Sequence, residues 1–156
     1  MKKMTQEEKN EIIKKLQTEN NTDEVEFHGN NRFVVRERYR VDLENGHTWL
    51  YKDKLFDEVG NIIPLENEYN SIFMFTSGVA VVCTEENIKI EGGRFTQTRK
   101  DGLININGKE LLPCVFDSIH IHFGGPVDII KNGEKRFVSQ KVIENGKFNW
   151  DDAIPY

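Results

Sequence analysis

The segment at residues 103–113, Leu-Ile-Asn-Ile-Asn-Gly-Lys-Glu-Leu-Leu-Pro, places an Asn-Gly pair between two apolar runs and ends at a proline. Asn107 and Gly108 both tolerate the positive φ of a two-residue type I′ turn, so the segment predicts a β-hairpin that turns at this pair. Pro113 removes a backbone donor, which favours the end of a strand there. The local chemistry is that of antiparallel β-structure.

The same pattern occurs earlier in the chain, at residues 55–64, Leu-Phe-Asp-Glu-Val-Gly-Asn-Ile-Ile-Pro. Gly60 precedes Gly108 by 48 positions, and the Tyr-Asn-Ser-Ile run at 69–72 precedes the Phe-Asp-Ser-Ile run at 116–119 by 47. These segments therefore form an internal repeat. A unit with one apolar sheet face cannot bury that face alone, so we expect the units to stack or to close into a barrel or sandwich.

Asn-Gly pairs recur at residues 45–46, 132–133 and 145–146, and each pair predicts a further hairpin tip. Residues 29–31 and 60–61 predict similar reversals. Connections this short join successive antiparallel strands, because a helical crossover needs a longer segment. The predicted fold class is mainly β, with antiparallel hairpin repeats and one N-terminal α-helix.

The glycine, lysine, apolar pair and proline within residues 100–113, followed by the aromatic-Asx-Ser-Ile run, resemble the WG-repeat (KWG-type) β-repeats of bacterial proteins. The resemblance covers about residues 55–137. Asp101 stands where the family's tryptophan would precede glycine, and residues 132–137 form an equally degenerate start of another unit. The resemblance implies an all-β architecture, a bacterial origin, and a binding or scaffolding role that brings no catalytic residues.

The N-terminal part of the chain predicts a helix over residues 5–18. Thr5 followed by Glu8 is a capping-box pattern, and the apolar residues after it lie along one narrow stripe. We expect one domain over residues 1–156, with this helix, a β-hairpin region at 25–54, two WG-like repeats at 55–137, and a C-terminal hairpin and tail at 138–156.

Charge and hydropathy exclude several function classes. The 156 residues carry a net charge of −5 and are acidic, with a pI near 5.4. A protein that binds nucleic acid by neutralising phosphates needs a basic surface, so we expect no direct nucleic-acid binding and a basic protein partner instead. No apolar run approaches the roughly 18 residues that cross a bilayer. We expect a cytoplasmic protein with no membrane contact and no cofactor.

Two histidines are the strongest metal-ligand candidates. His120 and His122 share one face if they lie on a strand, and Asp117 or Asp128 would supply an oxygen ligand. One interpretation is a metal-dependent hydrolase centred on this pair. The other is two histidines on the solvated face of a strand, with no metal.

The chain has only Cys83 and Cys114, and both lie inside apolar runs. A structural metal site needs more ligands at short spacing, and a disulfide framework needs more cysteines. We expect two small buried thiols.

Arginines form a local basic stripe at Arg36, Arg38 and Arg40. These three side chains share a face if the strand is regular. One interpretation is a solvated edge strand whose charges prevent unwanted pairing. The alternative is an anion-binding face.

Aromatic and acidic residues combine near the end of the chain. Trp150 is of a type common at interfaces, and Asp151 and Asp152 beside it would suit a basic partner. Glu85 and Glu86 are further candidate partner-binding residues. An equally good use for the aromatic residues is to close the edge of the core.

These observations favour a non-enzymatic module that binds another protein. A specific hypothesis is an immunity or inhibitor protein that caps a basic toxin or nucleic-acid-handling enzyme, because negative charge would speed capture of a basic target. The alternatives are a structural element of a larger repeat assembly and the hydrolase centred on His120 and His122.

Overall fold

The computed structural model describes residues 2–145 and 148–155. Over this part of the chain, strands dominate and pair antiparallel, as predicted. Two α-helices accompany them, α1 (Gln6–Asn20) and α2 (Gln140–Glu144), with a 3₁₀ turn at Trp150–Asp152.

The described residues form three four-stranded sheets, and each sheet takes its strands in chain order. The first sheet contains β1 (Val25–Phe27), β2 (Phe33–Leu43), β3 (Gly46–Phe56) and β4 (Ile62–Ile63). The middle sheet contains β5 (Ser71–Ile72), β6 (Val79–Glu91), β7 (Arg94–Asn105) and β8 (Glu110–Phe116). The last sheet contains β9 (Ser118–Ile121), β10 (Val127–Lys131), β11 (Glu134–Val138) and β12 (Ile154–Pro155).

Helix α1 covers the first sheet. Thr5 caps its N-terminus in the predicted capping box with Glu8, and Asn21 ends it in the left-handed conformation. Leu16 is fully buried against Phe33 and Val35 of the sheet. Neither described helix is long and apolar enough to cross a membrane.

The sheets stack, and alternate residues of each strand face opposite neighbours. Val34 and Leu55 of the first sheet share a core with Val82 and Ile104 of the middle sheet. A second core lies between the middle and last sheets, where α2 contributes the fully buried Ile143. Among the described residues no sheet closes into a barrel, so of the predicted arrangements the stacked one is observed.

The loops after β3 and β7 are built alike. The Oδ1 atom of Asp57 accepts the backbone N–H groups of Val59 and Asn61. The Oδ1 atom of Asn105 accepts those of Asn107 and Lys109 in the same way. Gly60 and Gly108 occupy equivalent positions with φ of +83° and +80°. The predicted repeat is therefore present in three dimensions.

The repeat begins earlier in the chain than the sequence predicted. Strands β1 and β2 pair through Val25 and Val35, as β5 and β6 pair through Ile72 and Val82. The N-terminal strands therefore form the same meander, although they lack the glycine and proline pattern of residues 55–64. The resemblance did not cover β1 and β2, because it depends on the glycine and proline of a loop, and the first meander has such a loop only after β3.

Of the three predicted Asn-Gly tips that lie wholly within the described residues, one has the predicted geometry. Asn132 and Gly133 have φ of +52° and +79°, as a type I′ turn requires. At residues 45–46 the prediction is off by one position, because Leu43 pairs with Gly46 and the loop is Glu44-Asn45. At residues 107–108 the side chain of Asn105 organises a longer loop.

The tip predicted at residues 145–146 is wrong where it can be examined. Asn145 has φ of −72° and caps α2, which forms because Ser139 accepts the N–H of Val142. Gly146 lies outside the described residues.

Two buried aspartates connect successive sheets. Asp53 on β3 accepts the N–H of Ile72 on β5 at 2.8 Å, and Asp101 on β7 accepts that of Ile119 on β9 at 3.2 Å. Both carboxylates also bind an arginine, so neither is left as an uncompensated buried charge.

Two hairpins extend beyond the stacked cores. Strand β1 pairs with β2 only as far as Val35, and β4 pairs with β3 only at Leu55 and Phe56. Residues 37–52 therefore form a two-stranded arm, the first ribbon. Residues 84–100 of β6 and β7 form a second ribbon. In the last sheet β10 and β11 have five residues each, so the corresponding arm is short.

Candidate binding surface

The histidine pair lies on the last sheet, with the two rings in contact. The ring centroids of His120 and His122 are 4.7 Å apart, and Nε2 of His122 lies 2.7 Å from Oδ2 of Asp128. Asp117, the other predicted ligand, is bound instead by Lys100 and by the N–H of Gly133.

Residues 2–145 and 148–155 contain no group of three His, Cys, Asp or Glu side chains placed to hold a metal ion. The hydrolase centred on His120 and His122 therefore has no three-residue ligand set in this part of the chain. His120 is exposed on β9.

The cysteines have the environment expected of structural thiols. Cys83 is buried and Cys114 half-buried, and both are free. Burial raises the pKa of the Cys114 thiol to about 12 and that of Cys83 above its usual value. A thiol that stays protonated is a weak nucleophile, so neither side chain is activated for attack.

The three arginines share a face of β2, as predicted, but differ in their partners. Arg36 donates to the fully buried carboxylate of Asp53 at 2.9 Å, and Arg40 pairs with Asp42 at 2.8 Å. Asp53 raises the pKa of Arg36 through their hydrogen bond. Among the described residues, Arg38 has no carboxylate partner. Pairing thus accounts for most of the positive charge in the predicted anion-binding stripe.

Aromatic residues lie on the same face, and the sequence analysis did not select them. In the β2–β3 register, Arg38 is opposite Tyr51 and Arg40 is opposite Trp49. Arg38 stacks on the Trp49 ring at 4.6 Å, and Arg36 on the Tyr51 ring at 4.8 Å. The alternation of residues 48–51 along β3 could have indicated that Trp49 and Tyr51 share a face. Which arginines these two rings contact depends on the β2–β3 register.

The two aromatic rings on this face are solvent-exposed. Trp49 is 47% exposed and Tyr51 is 44% exposed. We call the surface formed by Arg36, Arg38, Arg40, Trp49 and Tyr51 the arginine–aromatic face. Tryptophan, tyrosine and arginine are the residue types that dominate binding energy at protein interfaces.

A groove of about 670 Å³ runs between this face and the segment that leaves α1. Residues 20–24 form one wall, and Arg36, Glu37, Arg38 and Tyr51 form the other. Asp23 and Glu24 are exposed in the first wall. The groove combines a stacked aromatic surface with carboxylates.

The predicted acidic partner-binding residues lie on different sheets. Glu85 is half-buried on β6, where its N–H bonds to Asn70 and its carboxylate accepts from Gln97. Glu86, next to it, is exposed. Both belong to the second ribbon, away from the C-terminal candidates in sequence and in sheet order.

The C-terminal candidates divide between core and surface. Trp150 packs on Phe116 at a centroid distance of 6.1 Å, beneath Arg136, so it closes an edge of the core. Asp151 is exposed. The side chain of Asp152 lies outside the described part of the chain. Partner binding by these residues stays a prediction.

A family model described as a WG containing repeat matches residues 102–121. These residues form a degenerate WG repeat. The match begins at Gly102, directly after Asp101, and ends with β9, so the predicted resemblance is confirmed for this stretch. No curated protein and no solved structure matches the chain. The described residues therefore form a module of stacked β-repeats.

The WG-repeat glycine has a packing role. A Cβ atom on Gly102 would lie 2.7 Å from the carbonyl oxygen of Leu112, closer than packed atoms approach. Asp101, in the position of the family's tryptophan, is 2% exposed and binds Arg99 at 2.7 Å. The departure from the family pattern therefore places a buried carboxylate, paired with a half-exposed arginine, where the family has a large ring.

Proposed function

We propose that this module of β-repeats is non-enzymatic and binds another protein through the arginine–aromatic face. The observation that carries the proposal is the exposure of Trp49 and Tyr51 on an arm that extends beyond the stacked sheets. An exposed tryptophan under an arginine has already lost rotational freedom, so its burial in a complex costs less side-chain entropy. The face thus has the residue types of a protein interface, and its aromatic side chains are already held in place.

We further propose that the partner is basic and that the protein acts as its immunity or inhibitor protein. The support is the net charge of −5 and the exposed carboxylates at Asp23, Glu24 and Glu86. Negative charge accelerates encounter with a basic toxin or nucleic-acid-handling enzyme, and the effect falls as salt screens it. In this proposal Asp151, Glu85 and Glu86 steer the encounter, and the aromatic residues supply the contact.

The test is recovery of a stoichiometric partner by the full chain from its host at physiological salt. We compare the wild type with Trp49→Ala and with Phe95→Ala, a matched control whose side chain is 44% exposed, against 47% for Trp49, but lies on the second ribbon. The proposal expects one basic protein with the wild type and Phe95→Ala, and its loss with Trp49→Ala. Recovery of no partner, or equal recovery with all three proteins, would overturn it.

A second measurement separates steering from contact. Once a partner is identified, Glu85→Gln with Glu86→Gln is expected to slow its association about tenfold at low salt and to leave the dissociation rate unchanged. Trp49→Ala is expected to change mainly the dissociation rate. If the glutamine variant leaves the association rate unaltered at every salt concentration, the proposed steering role is wrong.

A further inference from the structure

The edge of β2 is open over most of its length. β1 covers β2 from Phe33 to Val35, and the last backbone bond on that side joins the N–H of Arg36 to the carbonyl of Glu24. Beyond it, the chain segment that contains residues 20–24 turns away into α1. Residues 37–43 of β2 therefore have a paired side toward β3 and an unpaired side, and the groove borders the unpaired side at Glu37 and Arg38.

Backbone alternation identifies the free groups. In an antiparallel strand the N–H and C=O of one residue point to the same side, and successive residues alternate. Since Arg36 points toward β1, the groups of Arg38, Arg40 and Asp42 point to the same, open side. The three backbone N–H groups and three C=O groups there have the spacing that pairing with a further β-strand requires.

The second ribbon is protected where the first is not. On β6 the N–H of Glu85 is capped by the side chain of Asn70. A register shift follows between Glu86 and Lys89, with Asn87 at φ of +52°. A bulge of this kind twists an edge away from further pairing. β2 pairs with β3 without interruption from Phe33 to Leu43, so its edge stays regular.

We propose that the open edge of β2 accepts an extended, basic segment of the partner protein as an added strand. One end of the segment lies in the groove beside Arg38. The segment runs antiparallel to β2, in line with β1, and bonds to the backbone of Arg38, Arg40 and Asp42. Main-chain bonds at a sheet edge supply affinity in this mode, and side chains supply specificity. The inference rests on the proposed function and adds to it the site and the backbone geometry.

Charge determines the side chains of the segment. Of the charged groups on β2 that line the groove, Arg36 is neutralised by Asp53, Glu37 is paired with Lys54 at 2.8 Å, and Arg38 is stacked on the Trp49 ring. Asp23 and Glu24 have no cation partner among the described residues. Lysine or arginine side chains that project from the added strand toward residues 20–24 meet these two carboxylates. A basic segment therefore fits the groove better than an acidic one.

A second copy of the chain is the competing occupant of the same edge. Antiparallel pairing of two β2 strands about Arg40 would place Arg40 opposite its own copy and Arg38 opposite Asp42 of the copy. The first pair is repulsive and the second is attractive. Self-association through β2 is thus an outcome that the test must distinguish.

The test uses a peptide of about nine residues, an ordinary strand length, in which lysine alternates with valine and both ends are blocked. A glutamate–valine peptide is the charge control. With isotope-labelled full chain, the lysine peptide is expected to shift the amide signals of Arg38, Arg40 and Asp42 and to slow their hydrogen exchange. The signals of the second ribbon stay unchanged. Concentration-dependent protection without peptide would indicate self-pairing and would overturn the inference.

Two variants isolate the backbone contribution. Arg40→Pro removes the N–H on the open side without removing a β2–β3 ladder bond, whereas Arg40→Thr removes the same side chain and keeps the N–H. The proline variant is expected to bind the lysine peptide about fivefold more weakly than the threonine variant. Equal affinities would contradict strand addition.

The two proposals fail in different ways. A partner that binds Arg40→Pro and Arg40→Thr equally well, but is lost with Trp49→Ala, contradicts strand addition and supports the proposed function. If the host yields no partner, the proposed function fails. In that case the edge inference fails with it as a statement about the partner, whatever the peptide shows.

Discussion

The first and second repeat units hold the same buried acid but draw its cation from different places. Asp53 binds Arg36 of the neighbouring strand β2, whereas Asp101 binds Arg99, two residues earlier in its own strand. Each acid nevertheless accepts an amide of the next sheet. The difference teaches that the hydrogen bond between sheets is the fixed part of the unit and that the arginine is interchangeable.

The middle and last sheets differ at one equivalent position. Val81 of the middle sheet packs against the core shared with the last sheet. The equivalent position 47 residues later is Asp128, which binds His122. The outward-facing position therefore holds a charged side chain in the last sheet and an apolar one in the middle sheet.

The largest expected effect comes from removing each of the two buried aspartates. Asp53→Ala leaves Arg36 and the Ile72 amide without their acceptor, and we expect it to lower the free energy of unfolding by about 4 kcal/mol. Asp101→Ala is expected to cost about 3 kcal/mol, because Arg99 is 48% exposed and rehydrates more readily than Arg36 at 36%. Urea denaturation measures both. A larger loss for Asp101→Ala would contradict the ranking.

The equivalent glycines test how tightly the units pack. A Cβ atom on Gly108 would lie 2.6 Å from the backbone oxygen of Pro64, whereas one on Gly60 would meet only the flexible end of Lys15. Both substitutions pay for a positive φ, so Gly60→Ala is the matched control. We expect Gly60→Ala to cost about 1 kcal/mol and Gly108→Ala about 2 kcal/mol or more in urea denaturation. An equal loss of stability in the two variants would show that the Pro64 loop moves aside without a measurable cost.

The equivalent buried aromatic residues of the two units are expected to differ in how stability depends on pH. Tyr69 in the first unit donates to Glu110, and Phe116 in the second has no hydroxyl. Burial raises the pKa of Tyr69 far above its usual value, and Glu110 adds to the shift. Because the folded pKa exceeds the unfolded value of about 10, this stabilisation is complete below that pH and declines above it.

Tyr69→Phe is therefore expected to cost about 1 kcal/mol at neutral pH, the worth of an ordinary hydrogen bond. The variant should also lose less stability than the wild type as the pH rises above about 10. Urea denaturation across that range measures both effects. Parallel pH profiles for the two proteins would show that Tyr69 does not titrate with unfolding.

Local chemistry made the repeat predictable. The spacing of Gly60 and Gly108 and the capping box of α1 depend on residues a few positions apart, and both are present. Contacts between distant residues were not predictable. Arg36 and Asp53 meet only because the β2–β3 register aligns them, and no periodicity in the sequence fixes that register.

The candidate surface was half predictable for the same reason. Alternation placed Arg36, Arg38 and Arg40 on one face, and the structure confirms this. A turn at Asn45-Gly46 would also place Trp49 and Tyr51 on this face, but with Tyr51 opposite Arg40, whereas the observed loop Glu44-Asn45 places Trp49 there. Moving a two-residue turn by one position shifts each cross-strand partner by two residues, so the face is kept and the pairing changes.

The smallest expected effect concerns the residue after each aromatic. Asn70 of the first unit binds a backbone amide as a neutral side chain, and Asp117 of the second does so as a carboxylate. Lys100, together with the Gly133 amide, lowers the pKa of Asp117. Its stabilisation is therefore present above the unfolded value of about 3.9 and is lost as the pH falls through the folded one. Asp117→Asn should be slightly less stable than the wild type at neutral pH, and the difference should vanish on acidification. A difference that persists at a pH of about 2 would show that Asn70 and Asp117 differ in packing rather than in charge.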